Sequence, residues 1–145
     1  MRAIEVLLVD DNPADSDLTG EVLASNGRQV HVQAVLDGVA AIELLRRQGS
    51  HAHALLPDFM ILDLSLPRKD GFAVLAEVKA DPVLRKIPIA VFSTSERGQD
   101  VIRSYELGAN SYVRKPGNLT DFISAVAMIR EFWCGLALLP RDEER

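Results

Sequence analysis

The chain is organised around one segment, Phe59-Met60-Ile61-Leu62-Asp63-Leu64-Ser65-Leu66-Pro67. It opens with large apolar residues that show no helical period, and it is far shorter than the roughly 20 residues of a membrane-spanning helix. This pattern indicates a strand that is buried on both faces of a sheet. The strand delivers the single carboxylate of Asp63, which is costly to bury without a cationic partner. The stretch therefore predicts a charged site at the end of a core strand.

Four other segments have the patterns of strands. Residues 4–9, apart from Glu5, and residues 87–92 are apolar runs, whereas residues 29–34 and 111–115 alternate between apolar and polar side chains. A helical segment follows each strand, and this alternation implies a parallel sheet with helices on both faces. The alternating strands belong at the sheet edges. We therefore predict an α/β fold, a flavodoxin-like doubly wound (βα)5 three-layer sandwich with strand order 2-1-3-4-5.

The predicted helices begin at polar residues that can cap a first turn. An asparagine or aspartate accepts hydrogen bonds from the free N–H groups of such a turn. Pro13, directly after the first of these caps, suits the first helical position, and Asn26-Gly27 is expected to end that helix. The four caps are Asn12, Asp37, Asp70 and Asn118.

Composition limits the class of protein to which the chain belongs. Its 145 residues are 48% hydrophobic and 26% charged, as in one globular domain with a core of its own. The net charge of −5 argues against nonspecific nucleic-acid binding, which needs clustered lysine and arginine. No apolar run is long enough for a transmembrane helix, and Glu5 interrupts any secretion signal. With Cys134 as the single cysteine, we expect a cytoplasmic protein without disulfides or membrane contact.

Three carboxylates follow strands that the predicted order places side by side. Asp10 and Asp11 come directly after the first strand, and Asp63 ends the third. In an open α/β sheet the ligand site lies at the carboxyl ends of the strands where the strand order reverses, here between these two strands. Converging carboxylates repel one another unless a divalent cation binds them. Oxygen ligands in an incomplete cage favour Mg²⁺ over zinc or a closed calcium site.

Polar groups after the fourth and fifth strands complete the predicted site. Ser93 or Thr94 supplies a hydroxyl, and Lys115 supplies an ammonium. Together with the metal they form a cradle for a phosphoryl group. Asp63 is the candidate nucleophile because carboxylates form aspartyl phosphates, and Mg²⁺ and Lys115 would neutralise the phosphoryl oxygens in the transition state.

These residues also occur in the order found in a known signalling domain. From its first strand to its last helix, the chain resembles the response-regulator receiver domain of two-component signalling. Each motif is common alone, but the full set in this order is specific. By the resemblance, residues 1–145 form one receiver domain, with a core of about residues 3–131, an apolar extension at 132–140 and a charged tail at 141–145. The motifs are Asp10-Asp11, Asp63, Pro67, Gly71, Ser93-Thr94 and Lys115-Pro116.

The resemblance implies a role for each site residue. Asp63 would accept a phosphoryl group from a histidine kinase, and the protein would catalyse only this acceptance and its slow reversal by hydrolysis, without acting as an enzyme on free substrate. Mg²⁺ would be held by Asp10, Asp11, Asp63 and the backbone carbonyl of Ser65. The family's switch hydroxyl, switch aromatic and invariant lysine would correspond to Ser93, Tyr112 and Lys115, and the Lys115–Pro116 bond would be cis. Gly117 departs from the family pattern, in which many members carry Phe.

A closer resemblance is to the stand-alone response regulators that pair with bacterial phytochromes. It rests on Asp11-Asn12-Pro13-Ala14-Asp15-Ser16, on Ser104-Tyr105-Glu106-Leu107, and on Phe132-Trp133 followed by Leu138-Leu139-Pro140. It implies a phytochrome-type kinase as partner. Because we expect no output domain, the signal would leave by protein–protein contact or by phosphorelay.

The last helix is predicted to end at Gly135, yet apolar residues continue beyond it. A domain of this size needs no such extension to cover its sheet, and exposed apolar surface usually marks an interface. We predict a homodimer formed by this extension and the face of the fourth helix, fifth strand and fifth helix. The alternative is that the extension folds back on its own domain. The predicted interface residues are Tyr112, Phe132, Trp133, Leu136, Leu138 and Leu139.

Three other functions stay open on the sequence. A receiver-like module could dock partners without being phosphorylated. A flavodoxin-like FMN carrier shares the fold, but Asp10-Asp11 would repel a phosphate where such a carrier needs small hydroxyl and glycine residues. A phosphatase of the haloacid-dehalogenase type would carry an Asp-x-Asp pattern on its first strand, and this chain has Asp-Asp.

Overall fold

A parallel five-stranded sheet forms the centre of the molecule, which is described by a computed structural model for residues 2–25 and 29–141. The strand order β2-β1-β3-β4-β5 confirms the predicted fold and places the two alternating strands at the edges. Residues of the central three strands are almost entirely buried, whereas those of β2 and β5 are partly exposed. The strands are β1 Ile4–Val9, β2 Val30–Val35, β3 Phe59–Leu62, β4 Ile89–Ser93 and β5 Ser111–Arg114.

Each strand is followed by a helix, as predicted. The four caps expected from the sequence each accept a hydrogen bond from the backbone N–H three residues further on. The predicted stop at Asn26-Gly27 lies outside the described residues. The helices are α1 Pro13–Ala24, α2 Gly38–Leu45, α3 Gly71–Ala80, α4 Gly98–Glu106 and α5 Leu119–Glu131, with short 3₁₀ turns at Gly49–His51 and Leu84–Lys86.

The two faces of the sheet are covered by different helices. On one face, apolar side chains of α1 and α5 pack against alternate residues of the central strands, such as Val6, Ile61 and Phe92. On the other, side chains of α2 and α3 pack against Leu7, Leu62 and their neighbours. In a sheet of this topology, ligand sites lie at the carboxyl ends of the strands.

The chain beyond α5 bends back toward the sheet. The regular helix ends at Glu131, and Phe132–Leu136 forms a π-helical turn that runs through Gly135, where the sequence predicted the helix to end. The Trp133 ring stacks on Phe59 with centroids 5.2 Å apart. The guanidinium of Arg141 donates hydrogen bonds to the carbonyl oxygens of residues 2 and 3, at 3.1 and 2.7 Å. Of the predicted charged tail at 141–145, only Arg141 is among the described residues.

Membrane insertion was not expected from the sequence. Across residues 2–25 and 29–141, no helix combines the length and the hydropathy that a membrane span requires.

Candidate functional site

The carboxylates predicted at the ends of β1 and β3 are neighbours. These strands pair with Val9 opposite Leu62, so the residues that follow them, Asp10 and Asp63, lie side by side. The backbone N–H of Asp63 donates a hydrogen bond to the Val9 carbonyl at 2.9 Å, which extends the pairing to the site itself. Both aspartates are buried, at 2% and 8% exposure, whereas Asp11 is exposed.

The three aspartates are arranged as ligands of a hard divalent cation. One carboxylate oxygen from each of Asp10, Asp11 and Asp63 can be chosen so that all three lie within 4.8 Å of one another. Oxygen donors at such separations suit Mg²⁺ or Mn²⁺, and the exposed Asp11 leaves the cluster open to solvent on one side. The residues present therefore fit the predicted metal. Ser65 is exposed, and its N–H donates to an Asp63 oxygen at 3.3 Å.

Lys115, directly after β5, brings a buried cation into the same cluster. Its Nζ atom lies 2.8 Å from an Asp10 oxygen and 2.9 Å from an Asp63 oxygen, and its side chain is 3% exposed. The Lys115 N–H donates to the Ser93 carbonyl at 2.7 Å, which fixes where the side chain starts. The ammonium is thereby held between the two buried carboxylates.

The electrostatics of the cluster shift two pKa values. Burial raises the pKa of the Asp10 carboxyl above its ordinary 3.8, although hydrogen bonds from Lys115 and from the Asn12 N–H oppose this. Burial alone would lower the pKa of Lys115, but its hydrogen bonds to the carboxylates of Asp10 and Asp63 outweigh burial and raise that pKa. The lysine is thus a permanent cation at neutral pH, and the cluster remains short of positive charge.

Asp15 is a fourth carboxylate in this cluster, and the sequence reasoning missed it. Its oxygen lies 3.1 Å from the Lys115 Nζ atom. From the sequence, Asp15 was named only as part of the motif Asp11-Asn12-Pro13-Ala14-Asp15-Ser16, without a role in the site. A signal was available, because side chains in a helix point back toward its N-terminus, and α1 starts beside Asp10 and Asp11.

Gly71 allows the loop after β3 to close against the site. A Cβ atom at position 71 would lie 2.3 Å from the Asp63 carbonyl oxygen and 2.6 Å from the Cα atom of Leu64. The N–H of Gly71 instead donates to the Leu64 carbonyl at 2.9 Å. The side chain of any other residue would push α3 away from the strand end that presents Asp63.

The two hydroxyl candidates after β4 differ in burial. Ser93 is 2% exposed, and its Oγ accepts a hydrogen bond from the Ser95 N–H at 3.3 Å. Thr94 is exposed. The structure thus places Ser93 in the interior at the end of the strand that neighbours β3, while Thr94 faces solvent.

The comparison with known families agrees with this arrangement of residues. Residues 6–127 match the response regulator receiver domain family. The chain belongs to the response regulator receiver domains. The predicted resemblance is thereby confirmed.

Similar proteins include phytochrome response regulators. Response regulator Rcp1 of Synechocystis sp. is 43% identical over 135 residues, which is 93% of this receiver and 92% of that protein. The crystal structure of the phosphorylated cyanobacterial phytochrome response regulator RcpA matches with a TM-score of 0.94 and 44% identity, over 97% of this chain and all of that one. The Mn²⁺-bound form of Rcp1 matches with a TM-score of 0.92 and 42% identity, over 95% and 99% of the two chains. These relatives confirm the predicted similarity to phytochrome-associated regulators.

The resemblance implied a cis peptide bond between Lys115 and Pro116, and this prediction is wrong. The Lys115–Pro116 peptide bond is trans, as is every peptide bond within the described residues. The trans form of an X–Pro bond is favoured by about 0.5–1 kcal/mol in the absence of other constraints. In this structure, the trans form already lets Lys115 reach both buried carboxylates.

The predicted switch aromatic, Tyr112, is joined to the loop after β4. Its hydroxyl donates a hydrogen bond to the Ser95 carbonyl at 2.8 Å. The Oγ atom of Ser95 also bonds to an Asp100 oxygen at 2.6 Å, near the start of α4. The Tyr112 N–H, on the open edge of β5, donates to the Tyr105 hydroxyl at 3.1 Å. Hydrogen bonds therefore connect Ser93 to α4 through Ser95 and two tyrosines, of which Tyr105 was not predicted as a site residue.

The predicted interface residues of the C-terminal extension fall into two groups. Trp133 and Leu139 pack against their own domain beside the α1 and α5 cluster, as the folding-back alternative expects. Phe132, Leu136 and Leu138 are 48%, 76% and 99% exposed. The extension of this receiver is thus attached through some of its apolar residues while it presents the others to solvent.

Proposed function

We propose that this receiver accepts a phosphoryl group from a histidine kinase on Asp63. The observation that carries the proposal is the Lys115 ammonium, held between the Asp63 and Asp10 carboxylates at 2.9 and 2.8 Å. Asp63 contacts this buried cation, and one of its oxygens lies within 4.8 Å of oxygens of the other candidate metal ligands, Asp10 and Asp11. Carboxylates form acyl phosphates when cations neutralise the transferred group.

In the proposed transfer, an Asp63 oxygen forms a bond to phosphorus. The bond from phosphorus to the donor's imidazole nitrogen breaks, and its electron pair stays on that nitrogen. The imidazole takes up one proton from water, so the products are an aspartyl phosphate and the unphosphorylated histidine side chain of the donor. Lys115 orients a phosphoryl oxygen and balances its charge. A Mg²⁺ ion held by Asp10, Asp11, Asp63 and the Ser65 carbonyl would supply further positive charge to the phosphoryl oxygens.

The signal leaves the site through Ser93 in this proposal. A phosphoryl group adds a charge of about −2 and strong hydrogen-bond acceptors, which attract the Ser93 hydroxyl. Ser93 Oγ accepts from the Ser95 N–H, and the Ser95 carbonyl accepts from Tyr112. Movement of Ser93 would therefore change how Tyr112 and α4 are held, and with them the face of α4, β5 and α5.

The names of the relatives suggest the partner. Because RcpA is a phytochrome response regulator, we propose a phytochrome-type histidine kinase as the phosphodonor, in the cytoplasm. The output is then a protein contact or transfer of the phosphoryl group to another protein, rather than turnover of a free substrate. A test compares phosphotransfer from a phytochrome kinase with transfer from a kinase of another class at equal concentrations. Faster transfer from the phytochrome kinase is expected, and equal rates would contradict the assignment.

The phosphoryl-acceptor proposal is tested by intact mass spectrometry after addition of acetyl phosphate. Wild type should gain one phosphoryl group when Mg²⁺ is present and none in EDTA, and Asp63→Asn should gain none. Asp121→Asn, which changes a carboxylate in the first turn of α5, is the matched control and should behave as wild type. If neither acetyl phosphate nor a kinase phosphorylates wild type, the protein is a docking module.

We also propose that a second copy of the chain covers the exposed part of the extension. A groove of about 520 Å³ lies between the outer face of α5 and the π-helical turn, lined by Met128, Phe132 and Leu136 among others. Leu136 in this lining is 76% exposed and Leu138, two residues further on, is 99% exposed, and exposed apolar surface usually marks an interface. The groove shares α5 with the predicted face of α4, β5 and α5.

The dimer proposal is tested by light scattering before and after phosphorylation. Wild type should show a dimer mass in at least one of the two states, and Leu136→Asp should be monomeric in both. Val83→Asp is the control, because Val83 is 60% exposed and lies between α3 and β4, in the opposite helical layer. A monomeric wild type in both states would exclude the dimer.

A further inference from the structure

The Lys115 ammonium makes hydrogen bonds to three carboxylates, one for each of its N–H groups. A lysine ammonium has three N–H groups and no acceptor. The Nζ atom lies 2.8 Å from Asp10, 2.9 Å from Asp63 and 3.1 Å from Asp15. A phosphoryl oxygen can therefore bind this ammonium only if one of the three carboxylates gives up its hydrogen bond.

The three contacts differ in how readily they can be given up. The side chains of Asp10 and Asp63 are 3% and 10% exposed, so neither carboxylate could exchange the ammonium for water. The Asp15 side chain is 31% exposed and makes the longest of the three contacts. Asp15 also lies at the start of a helix, where its charge remains favourable without the lysine.

We infer that Asp15 holds the Lys115 donor that an incoming phosphoryl group takes over, and thereby opposes phosphorylation of Asp63. This inference rests on the proposed function of the site. Asp15 is a positioning residue, since it touches Lys115 rather than the reacting atoms. When a phosphoryl group arrives, the Lys115 N–H passes from an Asp15 oxygen to a phosphoryl oxygen, and Asp15 turns to water.

The charge balance of the cluster also opposes phosphorylation of Asp63. Four carboxylates face one ammonium, so even a bound divalent cation would leave a formal excess of one negative charge. Replacing Asp15 by asparagine removes this excess and leaves a weaker, neutral acceptor for the Lys115 N–H. An ion pair of this exposure is worth about 0.2–1 kcal/mol, which corresponds to a rate or affinity change of up to about fivefold.

The experiment compares Asp15→Asn with Asp15→Glu and Asp17→Asn in the full chain. The first readout is the rate constant for phosphorylation by acetyl phosphate, at Mg²⁺ concentrations shown to be saturating for each variant. The second is the affinity for beryllofluoride, a phosphoryl mimic, measured by ¹⁹F NMR. Asp17 is exposed on the same helix, so Asp17→Asn makes the same change of charge and composition away from Lys115.

The expected result is that Asp15→Asn raises the rate constant and the beryllofluoride affinity about 1.4- to fivefold, the range set by a partly exposed ion pair. Asp17→Asn should match wild type, and Asp15→Glu, which keeps the charge, should stay nearer to wild type than to Asp15→Asn. The difference should persist at 0.5 M salt, since a direct contact is screened less than a distant charge.

The outcomes separate this inference from the proposed function. If wild type takes neither phosphoryl group nor beryllofluoride, the proposed function fails. If wild type takes both and Asp15→Asn is unchanged or slower, the competition by Asp15 is excluded while the proposed function stands. If Asp17→Asn accelerates the reaction as much as Asp15→Asn, a general field effect accounts for the result and the inference is overturned.

Discussion

The ammonium of Lys115 lies 2.9 Å from an oxygen of Asp63, although the two residues are 52 positions apart in the chain. They follow β5 and β3, between which β4 lies in the sheet, so the lysine side chain reaches across the end of a strand. The contact is nearly free of solvent and raises the pKa of the lysine. The site thus depends on one buried cation from an edge strand.

Removal of this cation should destabilise the protein and slow phosphorylation. Because the folded-state pKa of Lys115 is raised, its stabilising contribution is complete below the ordinary pKa of 10.5 and is lost only as the pH rises through the folded-state pKa. At pH 7.5, Lys115→Gln should therefore lower the free energy of unfolding by about 1–3 kcal/mol, as buried carboxylates lose their donor. Urea titration measures this.

The same variant should accept a phosphoryl group from acetyl phosphate at least about tenfold more slowly, a change of about 1.4 kcal/mol in the activation free energy. Lys86→Gln, an exposed lysine after α3, is the control and should change neither quantity. A Lys115→Gln protein with wild-type stability would mean that the ammonium does not compensate the carboxylates.

Asp10→Asn should stabilise the protein when no divalent cation is present. Burial raises the pKa of Asp10, so in the folded state its ionised form is disfavoured, and stability decreases as the pH rises through the window above 3.8. Once the pH is above the folded-state pKa the full penalty is present in wild type, and the amide removes it. Lys115 keeps two of its carboxylate partners.

In EDTA we expect the melting temperature of Asp10→Asn to rise by about 2–4 °C, the shift produced by about 1 kcal/mol in a domain of this size. Added Mg²⁺ should stabilise wild type more than the variant, because a ligand that binds the folded state raises its stability with concentration. A destabilised variant in EDTA would show that the Asp10–Lys115 pair outweighs the cost of burying Asp10.

Gly71→Ala should push α3 away from the strand end that carries Asp63. The added methyl group would be 2.3 Å from the Asp63 carbonyl oxygen, and relief of that clash costs about 1–3 kcal/mol in a packed interior. Gly20→Ala is the matched control, because a Cβ atom at position 20 of α1 meets nothing within 4 Å. It should stabilise by up to about 1 kcal/mol through helix propensity. Urea titrations of both variants should therefore shift in opposite directions.

Tyr105→Phe should leave the Tyr112 N–H, on the open edge of β5, without its partner in the protein. The substitution removes the hydroxyl that accepts the Tyr112 N–H, while the ring can keep its packing. Because Tyr105 is half exposed, water replaces the lost bond and stability should fall by only about 0.5–1 kcal/mol. The sharper readout is amide hydrogen exchange, which should accelerate at Tyr112 and not at Val91, its buried partner in β4. Unchanged exchange at Tyr112 would show that the hydroxyl does not protect the strand edge.

Most of the site was predictable because strand order alone positions it. Asp10, Asp63 and Lys115 directly follow strands, and the carboxyl ends of parallel strands meet at one edge of the sheet. Apolar runs and helix caps were enough to place those strands. The side-by-side arrangement of Asp10 and Asp63 therefore needed no knowledge of side-chain packing.

The remaining features depend on three-dimensional details that patterns do not specify. Asp15 reaches Lys115 because of the rotation of α1 about its axis, and Tyr105 reaches β5 because of how α4 is placed. The trans bond before Pro116 reflects a small preference between two isomers. In the C-terminal extension, Trp133 stacks on Phe59 whereas Leu138 is exposed. Both residues are apolar, so composition alone could not show which of them packs against the domain.

The central claim, that Asp63 carries the phosphoryl group, is tested most directly by borohydride reduction of the phosphorylated protein. Borohydride converts an aspartyl phosphate into homoserine, and peptide mass spectrometry then locates the changed residue. We predict homoserine at position 63 in wild type treated with acetyl phosphate and Mg²⁺, and none after treatment in EDTA. Homoserine at position 10, 11 or 15, or a phosphoryl adduct that persists in Asp63→Asn, would contradict the account.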